Sequence, residues 1–346
     1  MRTKGQSLAV AYRPTTFEEV CGQNITVKIL QKTLETGNLR NCYLFAGDSG
    51  CGKTTCARIF AKLINGGFGE PIEIDAASNN GVDNVRALIE SANQRALVGE
   101  YKIFIIDECH AITTQGWQAF LKGIEEPPAY TIFMFCTTEP NKLPAAILNR
   151  VQRYNITKIN TADMKARLEY ICKEEGYTNY ESLCDLLSKT THGCMRDAIM
   201  KLEQCADFST DLSLNNALQV LGALSYDAMF NLTWALQDKN SGNILAILDK
   251  LANNSVDLKQ FMEVYLEFCL DLQKFAIFNN IDITSIPAYF ASAESQMVQQ
   301  TINIPDFITW SMKLIDALLE IKLETRYDTF YKSTIEAFLL RFIIKD

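Results

Sequence analysis

The sequence lacks any apolar run near the ~18 consecutive residues that a membrane-spanning helix requires, so a membrane role is not expected. Its start carries two basic residues but only the short apolar stretch Leu8–Tyr12, too little for a secretory leader. No two of the eleven cysteines form a C-x-x-C pair, and most lie inside apolar runs. Without an export signal this excludes a disulfide framework and a zinc site, and implies reduced, buried thiols in the cytoplasm. There are no internal repeats and no low-complexity linker. Positive charge is not in excess either: the net charge of −8 argues against a generally basic nucleic-acid binder. Histidine is scarce, with His110 and His192 alone.

What is present is an ordinary globular composition, 48% hydrophobic and 21% charged, long enough for two or three domains. Charge is uneven. Residues 1–160 hold 17 basic against 15 acidic side chains, and the remainder 16 against 26, so a DNA-facing surface is expected in the first half.

That first half alternates apolar runs with helical stretches. Strands are expected at Cys42–Ala46, Ile72–Asp75, Lys102–Asp107, Thr131–Cys136 and Arg153–Ile156, nearly continuous in apolar residues, as in a parallel sheet buried on both faces. Helices fall between them, for example Thr54–Leu63 and Val82–Leu97. From about Thr161 the strand signal stops. Short helices around Gly176 and Gly193 lead into an all-helical remainder, with a long helix from Pro305 that carries Ile308, Met312, Ile315, Leu319 and Leu323 on one stripe. The expected organisation is an α/β domain with a parallel sheet (1–160), a small helical domain (161–208) and an all-α domain (209–346).

Gly47-Asp48-Ser49-Gly50-Cys51-Gly52-Lys53-Thr54 fits G-x-x-x-x-G-K-[ST], with an apolar strand before it and a helix after it. A chance match in such a chain is about a one-percent event on average glycine usage. Glycines let backbone N–H groups close around phosphate oxygens, and the helix N-terminus adds positive potential. Lys53 would bring charge to the β/γ-phosphates, and the Thr54 hydroxyl suits Mg²⁺. The alternative is a glycine-rich turn with an incidental lysine.

Ile103-Phe104-Ile105-Ile106-Asp107-Glu108 is an apolar strand ending in two carboxylates. Asp107 would hold magnesium through water, and Glu108 would polarise a water against the γ-phosphate. The alternative for this pair is a solvated strand end. Thr137, Thr138 and Glu139 follow the next buried strand, where a polar side chain can sit between the acidic pair and the γ-phosphate; the alternative is a strand-end turn. Arg150 and Arg196 are isolated cations near apolar segments. A guanidinium aimed at a transferring phosphoryl group is worth ~10³–10⁵ in rate, whereas the common fate of an arginine is a surface ion pair. His110 reads as a structural hydrogen-bonding residue, and His192 is given no role.

Further stretches carry a resemblance: Tyr12-Arg13-Pro14-Thr15-Thr16-Phe17, Gly22-Gln23, Ile72-Glu73-Ile74-Asp75-Ala76-Ala77-Ser78-Asn79-Asn80-Gly81-Val82-Asp83, Asp107-Glu108-Cys109-His110, Glu125-Glu126-Pro127-Pro128, Thr137-Thr138-Glu139-Pro140 and Arg196-Asp197-Ala198. With the phosphate loop, these resemble the gamma/tau subunits of bacterial DNA polymerase III, the motor subunits of sliding-clamp loaders within the AAA+ ATPases. The similarity runs from Tyr12 to about Asp207 and more weakly beyond. It implies an AAA+ P-loop domain, a helical lid and an all-α collar, with ATP and Mg²⁺ as ligands. By the resemblance Thr138 is sensor 1, Arg196 is sensor 2 on the lid, and Arg150 is an arginine finger acting on a neighbouring subunit's nucleotide. Lys53, Asp107 and Glu108 complete the catalytic set. Nucleotide contacts would come from Tyr12, Arg13, Val20, Gly47, Asp48, Ser49, Gly50, Cys51, Gly52, Lys53, Thr54 and Thr55. Arg86, with Asn79 and Asn80 nearby, would face the DNA backbone.

The implied partners are a sliding clamp, primer–template DNA and other loader subunits in a homo- or hetero-oligomeric pentamer. The exposed helix and loop after His110 would face the clamp. Where the family usually has Ser-Arg-Cys, this chain has Asn149-Arg150-Val151. Gly66-Gly67-Phe68-Gly69 stands where many members carry a four-cysteine zinc module, so no zinc is expected. The chain ends at Asp346, where the collar would end, and the compact form suggests a phage or mobile-element version. Another AAA+ DNA motor, or a non-hydrolysing scaffold subunit of a loader, are the alternative readings.

Overall fold

A computed structural model describes residues 5–213, 216–217, 220, 226–253, 256–278, 295–326 and 328–345. The remaining parts of the expected all-α region, 214–215, 218–219, 221–225, 254–255 and 279–294 among them, lie outside the described residues. The chain divides into two compact units, Met1–Ile171 with Thr191–Met200, and Cys172–Thr190 with Lys201–Asp346. This division runs through segment 161–208 rather than around it.

The first unit is built on five parallel strands: β1 (Cys42–Ala46), β2 (Ile72–Asp75), β3 (Lys102–Asp107), β4 (Thr131–Thr137) and β5 (Gln152–Asn155), in the order β2-β3-β4-β1-β5. Successive side chains leave opposite faces of a strand, and here both faces are covered. Leu44, Phe104, Ile106, Phe133 and Phe135 pack on one side against Val85, Leu88, Trp117 and Phe120 of α4 (Val82–Ala92) and α5 (Thr114–Glu125). Tyr43, Phe45, Ile103, Ile105 and Met134 pack on the other against Leu30 of α2 (Asn24–Thr36) and Cys56, Ile59 and Phe60 of α3 (Lys53–Ile64). Alternation is invisible in these strands because neither face is wet.

Full burial holds only for the centre. β1 and β4 are buried at every position, whereas β2 is exposed at three of four positions and β5 buries Tyr154 alone. The expectation of burial on both faces is corrected there: β2 and β5 are the sheet's edges. The expected helix Val82–Leu97 stops at Ala92, because its last carbonyls are taken by other elements. Lys102 Nζ donates to Ser91 O at 2.6 Å, Thr131 Oγ1 to Ala92 O at 2.8 Å and Tyr130 Oη to Asn93 O at 2.6 Å. Leu97 is left fully exposed.

All eleven cysteines are free; nine are buried, and Cys21 and Cys194 are half-buried. Burial pushes the Cys42 and Cys56 thiols up to about 12.

In the second unit, helices α10 (Tyr226–Gln237), α11 (Ser241–Asn253), α12 (Leu258–Phe278), α13 (Ser295–Ile302), α14 (Phe307–Glu324) and α15 (Tyr331–Lys345) share one core around Phe230, Phe261, Phe268, Leu318 and Leu339. The long helix expected from Pro305 is corrected at its start, and of its expected stripe Ile315 alone lies in the core. The helix starts at Phe307 and buries Phe307, Ser311, Leu314, Ile315, Leu318 and Ile321, while Ile308, Met312, Leu319 and Leu323 are exposed. The helix is apolar on two faces, and sequence periodicity alone does not rank them. Among the described residues, no helix is long and apolar enough to cross a membrane.

Candidate nucleotide site

The strand order sets the site. β4 lies between β1 and β3, so the ends of all three strands open on one crevice at the carboxyl edge of the sheet, where open α/β sheets place ligands. The phosphate-type loop leaves β1 there and turns into α3. It is tightly held: Gly47 N–H donates to Thr137 O at 3.2 Å, and a Cβ on Gly47 would lie 2.1 Å from the Ile156 carbonyl oxygen. Gly50 and Gly52 have φ of +68° and +103°, which L side chains rarely adopt. Gln23 is buried behind the loop, its amide donating to Thr157 O at 2.7 Å and to Cys51 O at 3.4 Å.

Lys53, at the first turn of α3, is 6% exposed and donates to the loop's own Asp48 O at 3.0 Å. An ammonium has three donors, so two remain for the cleft it lines. Thr54 Oγ1 donates to Asp107 Oδ2 at 2.8 Å. Its proton is thus committed to the carboxylate and its lone pairs are left for a cation, the arrangement that the loop threonine and strand-end aspartate of a Mg²⁺–nucleotide site require.

Glu108 follows in a left-handed conformation, φ +46°, uncommon for a residue with a side chain. Its N–H donates to Asp107 Oδ1 at 3.0 Å. Its carboxylate accepts from Thr138 Oγ1 at 3.3 Å, linking the ends of β3 and β4. His110 lies 3.3 Å from Glu108 Oε2 and 3.5 Å from Glu139 Oε1, and its Nδ1 is 3.0 Å from Thr137 Oγ1. The bond from Lys142, with some help from the charges of Lys142 and His110, holds the Glu139 carboxyl below its usual range. His110 is therefore a bridging group behind the acidic pair, in line with its structural reading.

These groups line an open cleft with a volume of about 190 Å³. Of the expected nucleotide contacts, Tyr12, Arg13, Val20, Ser49, Gly50, Cys51, Gly52, Lys53, Thr54 and Thr55 border it; Gly47 and Asp48, the first two residues of the loop, do not. Asp107, Glu108 and Arg196 border it too. Arg196 approaches the loop from α9 (Met195–Phe208), its Cβ 3.2 Å from the position a Gly50 Cβ would take.

Arg150 is not part of this cleft. It pairs with Glu125 at 2.7 Å and donates to Ala146 O at 2.8 Å. Asn79, Asn80 and Arg86 lie beyond the end of β2, separated from the loop by β3 and β4. Asn79 is engaged with Asp75 O, Asn80 O accepts from Thr113 N–H, and Arg86 makes an exposed pair with Asp83. Among the described residues, no group of three or more His, Cys, Asp or Glu is placed to hold a metal ion. Sequence reasoning missed Ala9, Ile159, Arg167, Met195 and Ile199, which border the cleft. No local motif marks them; the fold gathers them from three separate segments.

Comparison with known proteins bears on this arrangement. The family model described as DNA polymerase III, delta subunit matches residues 70–160. The tau subunit of DNA polymerase III from Bacillus subtilis is 34% identical over 77% of this chain and 51% of its own length. The gamma/tau subunit of Mycoplasma genitalium is 30% identical over 84% of this chain and 52% of its own. The tau subunit of Escherichia coli is 31% identical over 73% and 43%. This chain is a relative of the DNA polymerase III gamma/tau subunits. It spans about half the length of the curated relatives it matches. Among solved structures, the RuvB Holliday junction branch migration motor of Thermotoga maritima superposes with a TM-score of 0.52 at 17% identity, covering 71% of this chain and 86% of that one. At that identity the likeness concerns the fold, which is AAA+ with a helical C-terminal region.

Proposed function

We propose that this chain is an ATP-hydrolysing subunit of a sliding-clamp loader, acting in DNA replication. The observation that carries the reading is the meeting of Lys53, the Thr54–Asp107 pair and Glu108 at one cleft, with Thr138 bonded to Glu108 from outside its lining, in a chain related to gamma/tau subunits. Lys53 and the loop N–H groups would hold the β/γ-phosphates, and Thr54 and Asp107 would hold Mg²⁺, which neutralises phosphate charge when bound. Glu108 would take the proton of the attacking water, and Thr138 would report on the γ-phosphate by its bond to Glu108. Arg196 would reach the phosphates from the segment packed over the loop. Tyr12, Arg13 and Val20 would wall the nucleoside.

The three-part organisation, with a lid over 161–208 and a collar over 209–346, belongs to the same proposal, as does assembly into a pentamer. The exposed stripe of Ile308, Met312, Leu319 and Leu323 supports a packing role for α14 in the collar. Arg86, Asn79 and Asn80 would meet the DNA backbone, with steep salt dependence and little sequence preference. Free thiols and the replication relatives support a cytoplasmic location.

Arg150 would act on the nucleotide of a neighbouring subunit, leaving Glu125 to do so. Arg150→Ala is expected to leave nucleotide binding by the isolated chain unchanged and to cut turnover of the assembled complex by about 10³-fold. A wild-type monomer that hydrolyses ATP at the assembled rate contradicts the role in trans. The reading as a whole is tested by ATPase stimulation. Clamp plus primed DNA should raise the rate of the assembled complex well above bare duplex. Stimulation by bare duplex alone would point to a translocating motor, and no hydrolysis under any condition to a scaffold subunit.

A further inference from the structure

We propose that Arg167 is a positioning residue for the nucleoside end of the cleft, holding the chain's N-terminal arm as the wall against which the base rests. The inference rests on the ATP reading above and adds to it a residue outside the phosphate loop and the paired carboxylates.

Arg167 lies on α7 (Thr161–Glu175) and borders the cleft together with Tyr12, Val20 and Cys21. One terminal nitrogen donates to the Tyr12 backbone carbonyl at 2.8 Å, a contact across 155 positions of sequence. The guanidinium carbon stands 5.1 Å from the centre of the Tyr170 ring, and Tyr170 meets the Tyr12 ring edge-on at 6.4 Å. Arg167 is therefore fixed by a charge-assisted bond on one side and an aromatic face on the other, and the arm is fixed through it. In the turn that follows, the Thr15 N–H holds the Glu19 carboxyl below its usual range, with a minor share from the Arg167 charge, and that charge opposes the rise that burial gives the Cys21 thiol.

The guanidinium has five N–H donors, and the Tyr12 carbonyl is its one hydrogen-bond acceptor among the described residues. Donors turned to a cleft suit the ring nitrogens of a purine or the hydroxyls of a ribose. The placement at this end, rather than at the phosphates, follows from the neighbours. Lys53 and Arg196 stand at the loop, whereas the hydrogen bond and ring contact of Arg167 are to the arm and to Tyr170. A residue that only stapled α7 to the arm would affect folding; one that shapes the nucleoside wall affects ligands carrying a nucleoside and spares those without one.

The test compares Mg-ATP, Mg-ADP and inorganic tripolyphosphate binding to the full chain by calorimetry, in wild type and Arg167→Gln, with melting temperatures alongside. ATP and ADP affinities are expected to fall about tenfold, in line with loss of one charge-assisted bond, and tripolyphosphate affinity to stay within about twofold. Arg167→Lys keeps the charge and a donor for Tyr12, and serves as the second variant should Arg167→Gln melt below the assay temperature. The same split is expected there at about threefold. Unchanged ATP affinity, or equal loss for all three ligands, overturns the positioning role while leaving the ATP site standing. A wild-type chain that binds neither ATP nor tripolyphosphate overturns the ATP reading itself.

Discussion

Lys53→Ala is expected to remove tight ATP binding, lowering affinity by ~100-fold or more, the scale of one buried charge-assisted contact. The ammonium is almost fully enclosed, and among the described residues its one acceptor is the Asp48 carbonyl of the loop itself. Lys53 has no acidic partner among the described residues, and a buried cation without one is costly unless a ligand anion completes its shell. Removing it should therefore leave the fold at least as stable while emptying the site of its main attraction for phosphate. Calorimetric titration with Mg-ATP, paired with thermal melting, checks both parts. Retained micromolar affinity in the variant would mean that the loop does not bind phosphate as described.

Glu108→Gln is expected to act in the opposite way, with ATP binding kept and turnover lost. Glutamine has nearly the same shape, and its amide oxygen still accepts from Thr138 Oγ1, so the link between β3 and β4 persists. It has no basic carboxylate to take a proton from water. General-base catalysis contributes about 10²–10⁴-fold, and kcat should fall by that factor with little change in nucleotide affinity. Single-turnover hydrolysis by the assembled complex measures it. A variant that turns over at the wild-type rate removes Glu108 from the chemistry and leaves His110 or Glu139, the next polar groups behind it, to be examined.

The parts of this protein that were legible in its sequence are those where local chemistry is decisive. The three central strands are apolar on both faces and were placed to within a residue, because a strand with two dry faces has few alternatives. The loop from Gly47 to Thr54 and the pair Asp107–Glu108 were legible because phosphate chemistry requires those residue types together. The end of α4 was not, since it depends on Lys102, Tyr130 and Thr131 capturing its carbonyls from elsewhere in the chain. Which apolar face of α14 is buried was not legible for a similar reason: both Ile308 and Leu314 are good core residues, and only the packed neighbours decide between them. Arg167 sits in no motif at all, and its contact with Tyr12 exists only once α7 is laid beside the N-terminal arm. The pairing of Arg150 with Glu125 is likewise a tertiary fact, joining two stretches that the sequence gives separately.

The central claim is that the cleft between the Gly47–Thr54 loop and the end of β3 is an ATP site. Titrating the purified wild-type chain with Mg-ATP in a calorimeter tests it most directly. Saturable binding at one site per chain, lost in Lys53→Ala, is the predicted result. A chain that takes up no ATP at millimolar nucleotide, while folded by its melting curve, would contradict it.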